Sequence, residues 1–298
     1  MADVFTSLCA FPLTPLADDV LDESALAALV ARAVAGGADS LGVLGSTGVY
    51  PYLNRDERRA ALDAAVGAAG GVPVVAGVGA LRTRDVLQYA DDAQSAGAAG
   101  LLVAPVSYHR LGEEEVYRLF ADLDSAASVP IVLYDNPTTT GFTFSEALYA
   151  RVAELPRVGS VKIPPPPAGT VANRAAAVRR ILPSGVSLGI SGDWVAAEAL
   201  VSGADAWYSV LGGLFPERAK AITDAAAAGD RDKALALSEA LEPMWALFRK
   251  HGSLRVVATA AEVLGLVKQS SLPRPLLGLD ETSRADVEAA LLQCGLEG

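Results

Sequence analysis

Lysine is scarce in this sequence, with five in 298 residues, at positions 162, 220, 233, 250 and 268. Four of them fall in stretches that read as helical and solvent-facing. Lys162 does not, because it stands between Val161 and Ile163 in a short apolar run that reads as a β-strand. Successive strand side chains point to opposite faces, so Val161 and Ile163 share one face and Lys162 takes the other. An ammonium turned into an apolar interior is costly to desolvate, which lowers its pKa and leaves neutral amine at neutral pH. Neutral amine is what attack on a carbonyl carbon requires. The competing role for such a lysine is structural, in an ion pair with an inward carboxylate.

Three other groups can act with it. Tyr134 closes an apolar run in Tyr134-Asp135-Asn136-Pro137. Its phenol could pass protons to and from a carbinolamine on a neighbouring strand, although a tyrosine at a strand end is also an ordinary core-edge residue. Gly45-Ser46-Thr47-Gly48 offers two hydroxyls and several amides in a glycine-flanked turn, which suits a carboxylate. The same composition also makes a simple loop. Ser191-Gly192-Asp193 carries a similar choice: a substrate contact, or an aspartate that caps the next helix.

All four groups end or follow an apolar run, and the runs number eight: 5–11, 40–46, 73–79, 100–105, 130–136, 159–164, 186–192 and 206–210. They are rich in Val, Ile and Leu, as strands covered on both faces should be. Helical spacing lies between them, for example at Leu26, Leu29, Val30, Ala33 and Val34. Asn54 with Glu57, and Thr143 with Glu146, predict capping boxes. Gly37-Ala38-Asp39, Gly97-Ala98-Ala99 and Gly203-Ala204-Asp205 each predict a left-handed glycine that closes a helix and leads into a strand. Eight strand–helix units predict a TIM (β/α)₈ barrel over 1–214. Residues 215–298 then supply the last barrel helix and a C-terminal helical extension, with helices near 216–228, 231–250, 253–267 and 283–295, in the same structural unit. A doubly wound sheet is the competing architecture, but no G-x-G-x-x-G turn follows the first strand. In a TIM barrel the chemistry sits at the C-terminal strand ends, where all four groups fall.

Composition narrows the partners. Hydrophobic residues make up 51% and charged residues 20%, which suits a globular chain and not a disordered one. No apolar run reaches the roughly 18 residues that a membrane span needs, and the first residues lack the pattern of a signal peptide. A net charge of −11 disfavours nucleic acid. Cys9 and Cys294, at opposite ends, form no disulfide framework or metal spacing, so a reducing cytoplasm is the expected compartment.

Taken together, these motifs resemble the dihydrodipicolinate synthase and N-acetylneuraminate lyase family, the class I pyruvate-dependent lyases. The likeness runs from Phe11-Pro12-Leu13-Thr14-Pro15 through Gly45-Ser46-Thr47-Gly48, Tyr134-Asp135-Asn136-Pro137, Val161-Lys162-Ile163 and Ser191-Gly192-Asp193. It ends in Leu264-Gly265-Leu266 and Pro273-Arg274-Pro275-Leu276-Leu277. The resemblance implies that Lys162 forms a Schiff base with pyruvate or a related 2-oxo acid and that Tyr134 shuttles protons through Thr47. It implies that Ser46, Thr47 and Gly48 bind the carboxylate, and that Tyr208 in the stretch after strand eight supplies a carbonyl near the nucleophile. Ser191 and Asp193 are further candidate contacts. It also implies a homodimer or homotetramer in which Tyr108, after strand four, completes the relay of a neighbouring subunit. An aldehyde is the implied second substrate, and neither a metal nor an organic cofactor is needed.

Three departures concern the acceptor side. Thr139 stands where dihydrodipicolinate synthases carry an arginine that grips the aldehyde's carboxylate, and Val49 stands where a glutamate is usual. Pro164-Pro165-Pro166-Pro167 follows the lysine where small polar residues are common, predicting a stiff loop without backbone donors. The expected activity is therefore carbon–carbon bond formation, cleavage or dehydration on a 2-oxo acid. The competing readings are a dihydrodipicolinate synthase in the strict sense, or a silent relative that binds ligand without turnover. A metal-dependent barrel enzyme would have only His109 and His251 to draw on. A glycosidase would have to use Asp135 and Asp193 as a facing pair of carboxylates.

Overall fold

The computed structural model describes residues 4–297 of the chain. Eight parallel strands close into a barrel: β1 (Ser7–Ala10), β2 (Ser40–Val43), β3 (Val74–Gly77), β4 (Gly100–Val103), β5 (Ile131–Tyr134), β6 (Val158–Ile163), β7 (Ser187–Ile190) and β8 (Ala206–Ser209). β8 pairs with β1, and β1 with β2, so no edge is left. Every expected strand is present, each contained in its predicted span except β6, which starts one residue earlier. A two-stranded antiparallel hairpin, Leu16–Ala17 with Val20–Leu21, follows β1 and was not expected.

The side chains sort by strand alternation into two layers. Cys9, Val75, Leu102, Val132, Tyr134, Ala206 and Tyr208 pack inside the barrel with Phe5 and Phe11. Leu8, Leu41, Val43, Leu101, Leu133, Val161, Ile163 and Trp207 pack outside, against the helices. Room inside depends on two glycines. A Cβ at Gly42 would lie 2.2 Å from the Phe11 ring, and one at Gly189 would lie 2.0 Å from the Tyr208 ring. The two rings can enter the barrel only because these positions carry no side chain.

The three predicted glycine caps adopt the left-handed region, with φ of 85° at Gly37, 94° at Gly97 and 98° at Gly203. At the first, Gly37 N–H donates to Val34 O and Ala38 N–H to Ala33 O, a Schellman closure. The Asn54–Glu57 capping box is present in both directions. The Thr143–Glu146 box is not. Phe142 and Phe144 are buried against each other and Tyr149, which turns Thr143 outward, and Ser145 caps the helix Glu146–Ala153 by accepting from Leu148 N–H.

After β8, the helix Pro216–Ala227 completes the ring, and Arg231–Glu239, Glu242–His251, Ser253–Val263 and Glu281–Cys294 follow. The expected helix 231–250 is two helices, because Pro243 in the first turn of the second has no N–H to continue the first. The expected 253–267 helix ends at Val263. Lys268 thus lies outside any helix, although it is exposed as anticipated. Trp245, Val256 and Leu291 belong to the same buried cluster as Leu41 and Val161.

Candidate active site

Lys162 is buried inside the barrel while its neighbours Val161 and Ile163 face the helices. In the ladder it pairs with Tyr134 on β5 and Gly189 on β7. Its Nζ lies 4.2 Å from the ring centroid of Phe11, 4.0 Å from that of Tyr134 and 5.3 Å from that of Tyr208. No carboxylate pairs with it and no hydrogen bond holds it, so the structural ion pair considered above is absent among the described residues. The nitrogen is nonetheless not among the fully enclosed polar atoms.

Two effects oppose each other at this amine. Aromatic faces attract a cation by about 0.5–2 kcal/mol. Burial disfavours it, and burial wins: the pKa falls from the usual 10.5 to about 8, with Cys9 and then Asp193 pulling the other way. At pH 7 about one molecule in ten then holds a neutral amine, against roughly one in three thousand for a free lysine. Burial therefore leaves part of this amine in the neutral form that carbonyl attack requires.

Tyr134 is buried, and its hydroxyl sits in a polar triangle. Asn136 Nδ2 donates to it at 2.8 Å, Ser46 Oγ lies 3.3 Å away, and Asn136 Nδ2 also donates to Ser46 Oγ at 3.3 Å. Burial pushes this phenol upward, so it stays protonated and can donate. The expected relay through Thr47 is not what forms: the hydroxyl partners are Ser46 and Asn136. Asn136 was given no role from sequence, although it sits in the motif that includes Tyr134. Phe11 was likewise quoted only as part of a motif.

The loop after β2 suits an anion. The N–H groups of Thr47 and Gly48, and the Thr47 hydroxyl, have no partner among the described residues. Gly48 is required sterically, since a Cβ there would lie 2.8 Å from Leu44 N. Leu44 and Val49, which bracket the loop, both have positive φ, 58° and 48°. That is uncommon for non-glycine residues and more so for a β-branched one, and it marks strain.

Other candidates land elsewhere. Tyr208 lies within β8 and not after it. Its hydroxyl bonds Ser160 Oγ at 2.7 Å, the neighbouring Ser209 carbonyl accepts from Phe11 N–H, and the Tyr208 ring packs in the barrel interior. Ser191 Oγ and N–H both donate to Ile163 O, tying the loop after β7 to β6. Asp193 caps, but not its own helix. It accepts from Ser209 Oγ at 2.7 Å and from Leu211 N–H at 3.2 Å, at the turn Leu211–Gly213 after β8. Burial raises its pKa to about 6. Thr139 is exposed in the one-turn helix Pro137–Thr140, its hydroxyl donating to Asn136 O at 3.3 Å. Tyr108 is 89% exposed and stacks edge-on to His109, outside the chamber of its own subunit.

Asp135 and Asp193 do not form the facing pair that a glycosidase needs. Asp135 points out of the barrel, accepts from the Tyr149 hydroxyl, and is pushed by burial to about 6. Among the described residues no three of His, Cys, Asp or Glu gather as a metal site. No helix among them is long and apolar enough to cross a membrane.

A closed parallel barrel with a buried, partly neutral lysine at a strand end defines the class: a (β/α)₈ enzyme equipped for Schiff-base chemistry. The Dihydrodipicolinate synthetase family matches residues 4–294, and the chain belongs to that family as a class I lyase. The 4-hydroxy-tetrahydrodipicolinate synthase of Phenylobacterium zucineum is 30% identical over 286 residues, 95% of each chain. A dihydrodipicolinate synthase structure from Agrobacterium tumefaciens is 44% identical, with a TM-score of 0.95 over 98% of this chain and 99% of that one. A dihydrodipicolinate synthase structure from Acinetobacter baumannii, complexed with pyruvate, is 25% identical, with a TM-score of 0.90 over 98% and 99%.

Proposed function

We propose that Lys162 is the Schiff-base lysine and that it acts on pyruvate or a related 2-oxo acid. The observation that carries this reading is an unpaired amine, held near a pKa of 8 among three aromatic rings and beside a protonated phenol. Neutral Lys162 attacks the keto carbon, and the Tyr134 hydroxyl donates a proton to the carbinolamine oxygen, which leaves as water. The resulting iminium draws electrons from the adjacent carbon. Loss of a proton there gives an enamine that adds to an aldehyde, and the reverse sequence cleaves a carbon–carbon bond. The free amides of Thr47 and Gly48 hold the carboxylate, with Ser46 between that carboxylate and Tyr134.

The acceptor differs from that of a 4-hydroxy-tetrahydrodipicolinate synthase, the name its curated relatives carry. At position 139 an exposed threonine supplies no charge for a second carboxylate. A missing charge-assisted contact is worth about 1.5–3 kcal/mol, or roughly 10- to 150-fold in preference.

Assembly as a homodimer or homotetramer is part of the proposal. Tyr52, Leu81 and Tyr108 are exposed on successive loops after β2, β3 and β4, and such a strip favours a second copy. Across that contact Tyr108 would serve the partner's chamber. Both cysteines are free, which suits a reducing cytoplasm.

Borohydride reduction in the presence of 2-oxo acids, followed by intact mass and peptide mapping, tests the reading. One covalent adduct at Lys162 is the expected result. No adduct with any 2-oxo acid would leave a silent ligand-binding relative.

A further inference from the structure

Tyr50 is held in place by three separate features. The first is the turn before it: Val49 adopts φ +48°, a conformation a β-branched residue rarely takes. The second is Arg58, buried with no carboxylate partner among the described residues. Its guanidinium donates to Tyr50 O at 2.6 Å, Gly79 O at 3.0 Å and Leu53 O at 3.3 Å, and lies over the rings of Tyr50 and Tyr89. One cation thus ties the carbonyl of Tyr50 to the segment just beyond β3. The third is Gly79, where a Cβ would lie 2.9 Å from Tyr50 Cε2 and 3.0 Å from its hydroxyl. The ring is drawn across the C-terminal end of β3 because that position is bare.

The group presented in this way has nothing to bond. Tyr50 is only 6% exposed, yet its hydroxyl has no hydrogen-bond partner among the described residues. It is not one of the fully enclosed polar atoms either, so it opens onto free space. A hydroxyl in a mostly buried residue is disfavoured unless something bonds it, and backbone strain gathers where a ligand is gripped. The residue itself lies on the loop after β2, at the C-terminal end of the barrel. Tyr50 shares the loop of Ser46 and Thr47, and a charge on Tyr134 would be felt at its phenol. The Thr47 and Gly48 amides already provide for a carboxylate, while Tyr50 comes after the chain has reversed at Val49.

We propose that Tyr50 is a specificity residue whose hydroxyl hydrogen-bonds an oxygen carried by the 2-oxo acid beyond its keto carbon, such as the hydroxyl at C4 that an aldol step creates. This rests on the Lys162 reading above. It predicts a preference for hydroxylated 2-oxo acids that originates within one subunit.

The test compares 4-hydroxy-2-oxobutanoate with 2-oxobutanoate, which differ by that single hydroxyl. The half-saturating concentration for early borohydride trapping is measured in the wild type and in Tyr50→Phe. The substitution removes one oxygen that bonds none of the described residues, so the fold should persist, and an unchanged melting temperature verifies this. The expected result is a half-saturating concentration about 3- to 10-fold higher for the hydroxylated acid and within about twofold for the other, the size of one neutral hydrogen bond. Equal weakening of both acids, or no change in either, overturns the role of Tyr50 while the wild-type adduct upholds Lys162. A wild type that traps neither acid overturns both.

Discussion

The two halves of the catalytic rim are built by different means. On one side, Lys162, Tyr134, Phe11 and Tyr208 come from strands or the residue next to one, and their direction is dictated by alternation inside a closed sheet. On the other, Ser46 to Tyr50, Pro164 to Pro167 and Thr139 come from loops and single helical turns whose shape depends on positive φ, prolines and a buried arginine. The lesson is a division of labour. Regular elements fix the lysine proposed as nucleophile and the phenol proposed as its proton donor, and irregular ones shape the proposed acceptor side.

The largest break in that comparison comes from the regular side. Lys162→Met should abolish borohydride trapping and lower turnover by at least about four orders of magnitude, as removal of a nucleophile does elsewhere. The same change should stabilise the fold. The amine's pKa is lowered on folding, from 10.5 to about 8, so the folded state pays the cost of a buried charge in full below pH 8. That cost fades as pH rises from 8 to 10.5, because the unfolded chain still binds the proton there and the folded one does not. Lys162→Met should therefore gain about 3 kcal/mol at pH 7, and the gap should close toward pH 10.5 in parallel denaturant melts. The wild-type rate of adduct formation should climb about tenfold per unit up to pH 8 and then level. A rate flat from pH 6 to 9 would contradict the lowered pKa.

Tyr134→Phe is the next largest. Removing a proton donor of this kind costs about 10²- to 10⁴-fold. Lys162 would keep its aromatic surroundings, so trapping should slow but still reach one adduct per chain. A mutant that traps as fast as wild type would remove Tyr134 from the carbinolamine step.

How much could be read in advance follows the same boundary. The eight strands, the inward lysine and its neighbour Tyr134 were legible because a period of two has one meaning once both faces are known to be covered. The triangle at Tyr134 was not, since Asn136 and Ser46 are 90 positions apart and only the closed barrel brings them within 3.3 Å. The ambiguity of Asp193 was resolved by contacts with Ser209 at the end of β8 and Leu211 in the turn after it, which no local pattern encodes. Tyr208 falls within the span 206–210 read as strand eight, yet that its ring would fill the barrel beside Gly189 shows only in three dimensions. Val49 was noticed only as a missing glutamate, when its backbone conformation matters at least as much.

A sharper probe of the irregular half is Thr139→Arg. If the acceptor side lacks only a cation, this single change should raise the preference for a carboxylate-bearing aldehyde, such as aspartate 4-semialdehyde, over an uncharged one by about 10- to 150-fold. The readout is the ratio of kcat/KM values for the two acceptors. An unaltered ratio would mean that the proline loop, and Pro165 against Gly192 in particular, shapes the acceptor pocket instead.

The smallest expected effect bears on the strain itself. At Val49 the left-handed backbone costs about 1–2 kcal/mol for a residue with a side chain. Glycine would relieve this cost, but would give up the burial of a side chain that is 1% exposed, about 1.5–2 kcal/mol, and about 0.5–1 kcal/mol of chain entropy. The terms nearly cancel, so Val49→Gly should lower stability by only about 1 kcal/mol in a denaturant melt. A comparable deletion at an unstrained strand residue such as Val161 has nothing to relieve and should cost several times more. If the two cost the same, the loop after β2 is not strained, and the contrast between the two halves of the rim loses its physical basis.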